Sequence, residues 1–575
     1  MSAASLPAGL LTPTAASRRR FSKSEAAVVA AAVVALLVLV AGPLIFLVGS
    51  SVWVDGRFTL AAYRQVLTRG IYYSALLNTL WLGLGATALA VLFGTPIAWA
   101  VTRTDMPFRA TVRAMANTAY VFPPFLLAIA YVILLAPNAG GLNRLWMDLF
   151  GVSRGPFNAY TLETLILVTG LHTFPTVFLL VSAALESLDP SLEHAAQILG
   201  ASRTRTTLRI TLPLVLPSIL TAALLAFVNA IALFGSQAIL GIPGRIYTLP
   251  TRVYQVLGYP PDYAIASALS MLLVVLTVLA LWLQKAWLAR RMVATIGGKA
   301  TAHDTVRLGP WRWIALACSA AIGLIAVVLP LIALAGVSLM HAWPQGFALD
   351  NLTLQNYIDV LSRNSITRSA IAHSLVLGVV TATIAIVLGV VLALIDMRGR
   401  FPGRKALDFL ALIPLGLPGI VLAVAILQLW LRVPVPLYGT FAILLLAYAT
   451  RFLPLAVQSA RTALSQVDPS LEEAARIGGV SRMTALWRIT IPLSSAGLVA
   501  GWILVFVPTI QELSASVLLF TPETMTLAVA IFNFQDNGQL EAVSALGITM
   551  VVIISVALWI VRLLRVRSSS VRART

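Results

Sequence analysis

DPSLEHAAQILGASRTRTTLRITLP occupies residues 189–213, and DPSLEEAARIGGVSRMTALWRITIP occupies residues 468–492. The two stretches share one polar pattern and begin 279 positions apart (468 − 189). They stand out because the chain around them is greasy: of 575 residues, 59% are hydrophobic and 11% charged, against about 25% charged in a soluble domain. So little charge over such a length means solvation by lipid. Apolar runs of about 20 residues cross a bilayer as helices, which satisfy their own backbone where water is absent. The expected fold class is an all-α polytopic membrane protein.

Twelve candidate spans recur, near 26–49, 72–101, 111–135, 160–182, 214–240 and 264–288, then 311–339, 371–395, 407–430, 440–460, 494–520 and 541–564. Six fall in each half. With the N-terminus inside and the spans alternating, 29 of the 40 Lys and Arg residues fall in inside segments, ten outside, and Arg451 within a span. That bias puts both termini, and both copies of the polar stretch, in the cytoplasm. It also accounts for the net charge of +19 without a nucleic-acid partner. The apolar run from Ala26 to Gly49, preceded by SRRRFSKSE, is too long for a cleaved signal and reads as a retained first span. The single cysteine, Cys318, excludes an internal disulfide and any Cys/His metal cluster; it reads as packing.

The repeat reaches beyond the polar stretch. NTLWLGLGATALAVLFGTPIAWA from Asn78 aligns with HSLVLGVVTATIAIVLGVVLALI from His373, setting Gly83 on Gly378 and Gly94 on Gly389, and Pro123 falls on Pro418. The offset there is 295 (373 − 78) and drops to 279 before the polar stretch, which reads as a first half shorter, or a second half longer, in between. An even number of spans per half makes the halves parallel repeats about an axis along the membrane normal. The expected organisation is a cytoplasmic segment over 1–25, a first domain over 26–288, a cytoplasmic linker over 289–310, a second domain over 311–564 and a cytoplasmic tail over 565–575.

The polar stretch has the makings of a short docking helix. Asp189 or Ser191, and Asp468 or Ser470, can cap its start, with acidic residues in the first turn. Paired alanines, Ala195–Ala196 and Ala474–Ala475, allow close approach of another surface. Gly200 and Gly479 suit a helix end and tight turn, and Pro213 and Pro492 the first turn of the next span. The second copy reads E-A-A-x3-G-x9-I-x-[LI]-P through Glu473, Ala474, Ala475, Gly479, Ile489 and Pro492. The first copy has His194 in place of the leading glutamate and keeps Glu193, which matches Glu472, one place earlier.

This pattern, twice, each time before the fifth span of a six-span half, resembles the EAA coupling loop of ABC importer permeases. Most of the chain resembles the fused, two-domain permeases of the iron(III) uptake family, whose relatives include thiamine and aminoethylphosphonate permeases. The resemblance implies a type I ABC importer permease fold. It implies a bacterial inner-membrane location, two ATPase subunits on the cytoplasmic face and a periplasmic or lipid-anchored solute-binding protein on the other. No Walker A pattern, GxxxxGK[ST], occurs in this sequence. The expectation is a transport subunit that is not an enzyme and binds no cofactor, with ATP used by its partners. Ferric iron is the expected cargo, with thiamine, aminoethylphosphonate or polyamine as alternatives.

Pro123, Pro124, Pro414 and Pro418 interrupt the third span of each half; they read equally as packing kinks or as broken helices at a translocation path. Arg451 is an intramembrane cation, and Glu512, in the next span, is the carboxylate at matching depth. A buried arginine normally finds a partner, so the two are expected to pair. His172 takes the place of Arg451 in the first half and reads as hydrogen-bonded in the bundle rather than as a metal ligand. An ion-coupled secondary transporter would need a relay of intramembrane carboxylates, for which Glu512 alone is a candidate. It would also leave the paired loops unexplained, and a membrane scaffold or sensor would be expected to carry a sizeable soluble domain, of which the sequence shows none.

Overall fold

Long apolar stretches with few glycines in their interiors form helices, and prolines decide where those helices stop or widen. The computed structural model describes residues 23–54, 56–189, 191–289, 305–346, 348–398 and 403–572. Most of the expected N-terminal segment and most of the expected linker lie outside them. In the first half the principal helices are α1 (Ala26–Val52), α2 (Gly70–Arg103), α3 (Arg109–Val121), α4 (Pro124–Leu135), α5 (Gly141–Phe150), α6 (Leu162–Ser187), α7 (Ser191–Ile198), α8 (Thr207–Ala232), α9 (Gly235–Gly241), α10 (Leu249–Val256) and α11 (Tyr263–Ala289). In the second they are α12 (Trp311–Ser338), α13 (Ser365–Arg398), α14 (Arg404–Leu412), α15 (Gly419–Trp430), α16 (Phe441–Ser465), α17 (Pro469–Ile477), α18 (Met483–Ile510), α19 (Ser516–Leu519), α20 (Leu527–Asp536) and α21 (Leu540–Arg572).

Among the described residues, ten helices are long and apolar enough to cross a membrane, and two bent pairs bring the number to as many as twelve. The bent pairs are α3 with α4, turned by 101°, and the Arg404–Gly416 segment with α15, turned by 116°. Both breaks have one cause. The residue before a proline is driven to extended backbone, and Phe122 (ψ 127°) before Pro123 and Leu417 (ψ 123°) before Pro418 obey. Pro124 opens α4, while Pro414 sits in a 3-10 turn ahead of the second break.

Two sequence expectations are corrected here. The register change runs the other way: the first half is the longer one there, and helix α5 with its flanking turns occupies a stretch that has no helical counterpart before α16. The fifth and eleventh spans also begin and end earlier than their hydropathy suggested, closing at Ala232 and Ile510. At their inner ends, Pro213 and Pro492 lie inside continuous helix, each preceded by a π-helical turn, Thr207–Thr211 and Leu486–Thr490. Pro43 and Pro330 follow π turns in the same way. A proline lacks its N–H and its ring crowds the carbonyl four residues back; widening the preceding turn relieves both without stopping the helix.

The repeated glycines let helices touch. A Cβ on Gly94 would meet Phe174 O and Val177 Cβ at 2.8 Å, and one on Gly389 would meet the Ala456 backbone at 2.8 Å. These close approaches seat α2 on α6 and α13 on α16. The first span of each half then crosses to the other half. Helix α1 packs on α15 as well as on α11, and α12 packs on α4 as well as on α21. Polar ties mark the crossings: Ser50 Oγ donates to Gln428 Oε1 at 3.2 Å, and Tyr131 OH to Ile325 O at 3.0 Å. Helices α4 and α15 are almost wholly buried and form the centre on which both halves close.

Candidate functional site

Helix α7 and helix α17 are the two polar stretches, and the same local chemistry builds both. Asp189 Oδ1 accepts from Ser191 N at 2.9 Å, and Asp468 Oδ1 from Ser470 N at 2.9 Å. The caps are therefore the aspartates. The hydrogen bonds from Ser470 hold the Asp468 carboxyl below its usual range. Each helix closes in a Schellman turn. Gly200 N bonds to Gln197 O and Ala201 N to Ala196 O; Gly479 N bonds to Arg476 O and Val480 N to Ala475 O. Both glycines sit at positive φ, +83° and +84°, which L side chains avoid. Neither has a neighbour within 4 Å of where a Cβ would stand.

The glutamate that anchors each helix is the one the motif alignment set aside. Glu193 Oε1 accepts from the Thr211 hydroxyl at 2.6 Å, and Glu472, buried, accepts from the Thr490 hydroxyl. Thr211 and Thr490 belong to the start of the following span, so each bond fastens the short helix to the helix it precedes. Arg103, at the end of α2 and 3% exposed, brings Nη1 to 3.5 Å from Glu193 Oε2. Glu473 points to solvent; the side chain of His194 lies outside the described residues. Ala195 and Ala474 are exposed, Ala196 and Ala475 half-buried. The C-terminal end of each helix exposes large apolar side chains: Ile198, Leu199 and Ile477 are 85%, 87% and 89% exposed. The signal for the anchors was present in the sequence, as a Glu and a Thr 18 apart in both copies.

At the broken helices the structure brings Arg451 and Glu512 together, Nε to Oε2, at 2.7 Å. Glu512 lies just past the end of α18, not within a span as its hydropathy suggested. There its Oε1 accepts from Ala515 N at 2.9 Å, and its carbonyl from Ser516 Oγ at 2.5 Å. Ser516 in turn meets Tyr448 OH at 2.6 Å. Gly419, first residue of α15, has no room for a side chain because the Arg451 guanidinium fills it. The first half has Pro124 and His172 at these places (419 − 295; 451 − 279). Contrary to the sequence expectation, His172 Nδ1 is buried without a hydrogen-bond partner among the described residues. The same described residues hold no group of three or more His, Cys, Asp or Glu able to bind a metal. From the second half, Gln511 Nε2 donates to Val121 O at 2.9 Å, at the first-half break.

The model of the binding-protein-dependent transport system inner membrane component matches residues 90–293 and again 385–569, more than half of the sequence. The chain belongs to that family. Each match contains one of the two capped helices and the span that follows it. This inner membrane component is thus a transport subunit and not an enzyme, with two copies of the importer permease fold in one chain. It is similar to a ferric transport system permease of Actinobacillus pleuropneumoniae, 25% identical over 91% of this chain and 76% of the relative. A putative ferric transport system permease of Haemophilus influenzae is 25% identical over 82% and 74%. A molybdenum transport system permease of Escherichia coli is 32% identical over 36% of this chain and 91% of its own length. Among solved structures, a bacterial ABC transporter involved in alginate import covers 47% of this chain and 96% of its own, at 19% identity and TM-score 0.40.

Proposed function

We propose that the chain is the membrane-spanning subunit of a ferric iron importer, in which residues 26–288 and 311–564 form two permease domains. Cargo from a periplasmic or lipid-anchored binding protein enters between the halves, and the path opens alternately to either face. Two ATPase subunits, which bind and hydrolyse the ATP, dock on α7 and α17 from the cytoplasm, where both termini and the linker also lie. The carrying observation is the duplicated helix itself. It is capped by aspartate, bolted to the next span by a Glu–Thr bond and tipped with exposed Ile198, Leu199 or Ile477. A lone loop has no need of that rigidity; a lever that transmits a push does. Iron rests on the two ferric relatives that run the length of the chain.

Two measurements test this. The purified chain should retain an ATPase subunit whose hydrolysis rises when loaded binding protein is added. Cells lacking the chain should lose uptake of chelated radioactive ferric iron while their thiamine requirement stays unchanged. A strain that starves for thiamine and takes up iron normally overturns the cargo, and a chain that retains no ATPase overturns the importer.

A further inference from the structure

The two halves perform one structural task with different residues, and the difference leaves a donor set over in the second. In the first half Asn78 Nδ2 donates to Tyr247 O at 2.9 Å, and Thr79 Oγ1 accepts from Leu249 N at 2.8 Å, tying α2 to the start of α10. In the second, His373 Nδ1 meets Met525 O at 2.9 Å, and Ser374 Oγ accepts from Leu527 N at 2.7 Å, tying α13 to α20 in the same way. The tie needs one donor. Asparagine supplies it in the first half, so the second ring nitrogen of His373 is surplus to that task. A carbonyl can only accept, so Nδ1 is the donor, and in the neutral imidazole the lone pair falls on Nε2. This is the arrangement by which histidines present a ring nitrogen to a metal.

Nothing in the tie requires what surrounds His373. A cleft of about 260 Å³ opens beside it, lined also by Ser365, Ser369, Glu523 and Met525. The His373 ring is steadied edge-to-face by Phe441, with centroids 4.6 Å apart. Glu523 is exposed and makes no ion pair among the described residues. At the matching places the first half has Gly70, Ser74 and Asn78 (365 − 295, 369 − 295, 373 − 295), and Arg245 two residues before the bonded carbonyl, where Glu523 stands. Gly to Ser, Asn to His and Arg to Glu all run one way. They add oxygen and nitrogen donors and turn a cation-repelling corner into an anionic one. The cleft sits at the start of α13, the end away from the one matching Arg103, and so on the face opposite the docking helices.

We propose that this cleft is a binding site for a first-row transition-metal ion, held by His373 Nε2 and the Glu523 carboxylate, with the Ser365 and Ser369 hydroxyls and water completing the shell. An imidazole nitrogen favours such ions over magnesium or calcium. Two strong protein ligands with exchangeable water suit capture and release rather than storage. The site stands whether or not ferric iron is the cargo.

The test uses Co²⁺ as the probe and the full chain, purified in detergent with an affinity tag free of histidine. Equilibrium dialysis and visible absorption should give one tight equivalent with a nitrogen-ligated cobalt spectrum. His373→Asn, which keeps the tie as Asn78 does, should weaken binding at least tenfold, and Glu523→Gln should do the same. Asn78→His should add no second equivalent, because Arg245 guards that corner. Absence of a tight equivalent in the unaltered chain, or its survival in His373→Asn, overturns the proposal. Because no ATPase, binding protein or transport is involved, failure here is separate from failure of the importer reading.

Discussion

Gly479 can be replaced without a clash, which makes it a clean probe of whether α17 works as a lever. No heavy atom lies within 4 Å of a Cβ there, so a side chain adds only backbone strain at φ +84°. That strain is about 1–2 kcal/mol for an ordinary L residue, less for Asp, which tolerates the left-handed region, and more for a β-branched residue. A side-chain clash would rank substitutions by size; the structure ranks them by backbone preference, Asp below Ala below Val. The helix bearing the strain has nine residues, too few to hold together on propensity alone. Losing the Schellman turn therefore frays the end that carries exposed Ile477. A cost of about 1.4 kcal/mol corresponds to a tenfold shift in the docked population. Complexes in liposomes, with ATP hydrolysis measured with and without loaded binding protein, should show stimulation nearly intact for Gly479→Asp, reduced for Gly479→Ala and largely lost for Gly479→Val. Gly200, at φ +83°, should give the same order. Equal stimulation across all three would refute the lever, and an order following volume alone, with Asp as harmful as Val, would refute the strain argument.

Glu472→Ala should uncouple more severely than Glu473→Ala, since Glu472 is buried against Thr490 while Glu473 faces solvent; the reverse order of ATPase stimulation would contradict the anchor. Thr490→Val removes a hydrogen bond to a charged group, a loss of about 1.5–3 kcal/mol, and should release ATPase subunit on dilution while the chain still inserts; full retention would sink the bolt. Arg451→Leu strands a buried Glu512, at about 3–5 kcal/mol, so folded yield should fall and recover partly in Arg451→Leu with Glu512→Leu. A double variant no better than the worse single one removes the pairing from the account. The Asp468 carboxyl is held below its usual range, so its cap is fully present above the unfolded value and is lost only as pH falls through the lowered one. Coupling should therefore not vary through this group between pH 6 and 8, and Asp468→Asn should keep it; a pH dependence in that window that vanishes in Asp468→Asn would contradict the assignment.

The spans, the two capped helices and the proline interruptions were legible because each rests on local chemistry: an apolar run, an aspartate ahead of a serine, a glycine at a helix end, a residue forced extended before Pro123 or Pro418. What could not be read depends on distance in space. The crossing of α1 onto α15 leaves no periodic mark, because a lipid-facing and a protein-facing leucine have the same hydropathy. The early ends of α8 and α18 were hidden for a related reason: the apolar residues that continue past Ala232 and Ile510 are buried by protein, chiefly α4 and α6 in the first half and α15 and α16 in the second, not by lipid, and burial by protein lets the backbone break. That break is what gives Glu512 its role. Inside a helix its carboxylate would have only side chains for partners. At the helix end it collects the Ala515 amide as well as Arg451, so the cost of an intramembrane charge is shared with the backbone. The first half has Pro124 and His172 where the second has Gly419 and Arg451. A repeat is most informative where its copies disagree, as they do there and again at Asn78 and His373, because the shared task then fixes what the structure requires and the remainder is left for function to explain.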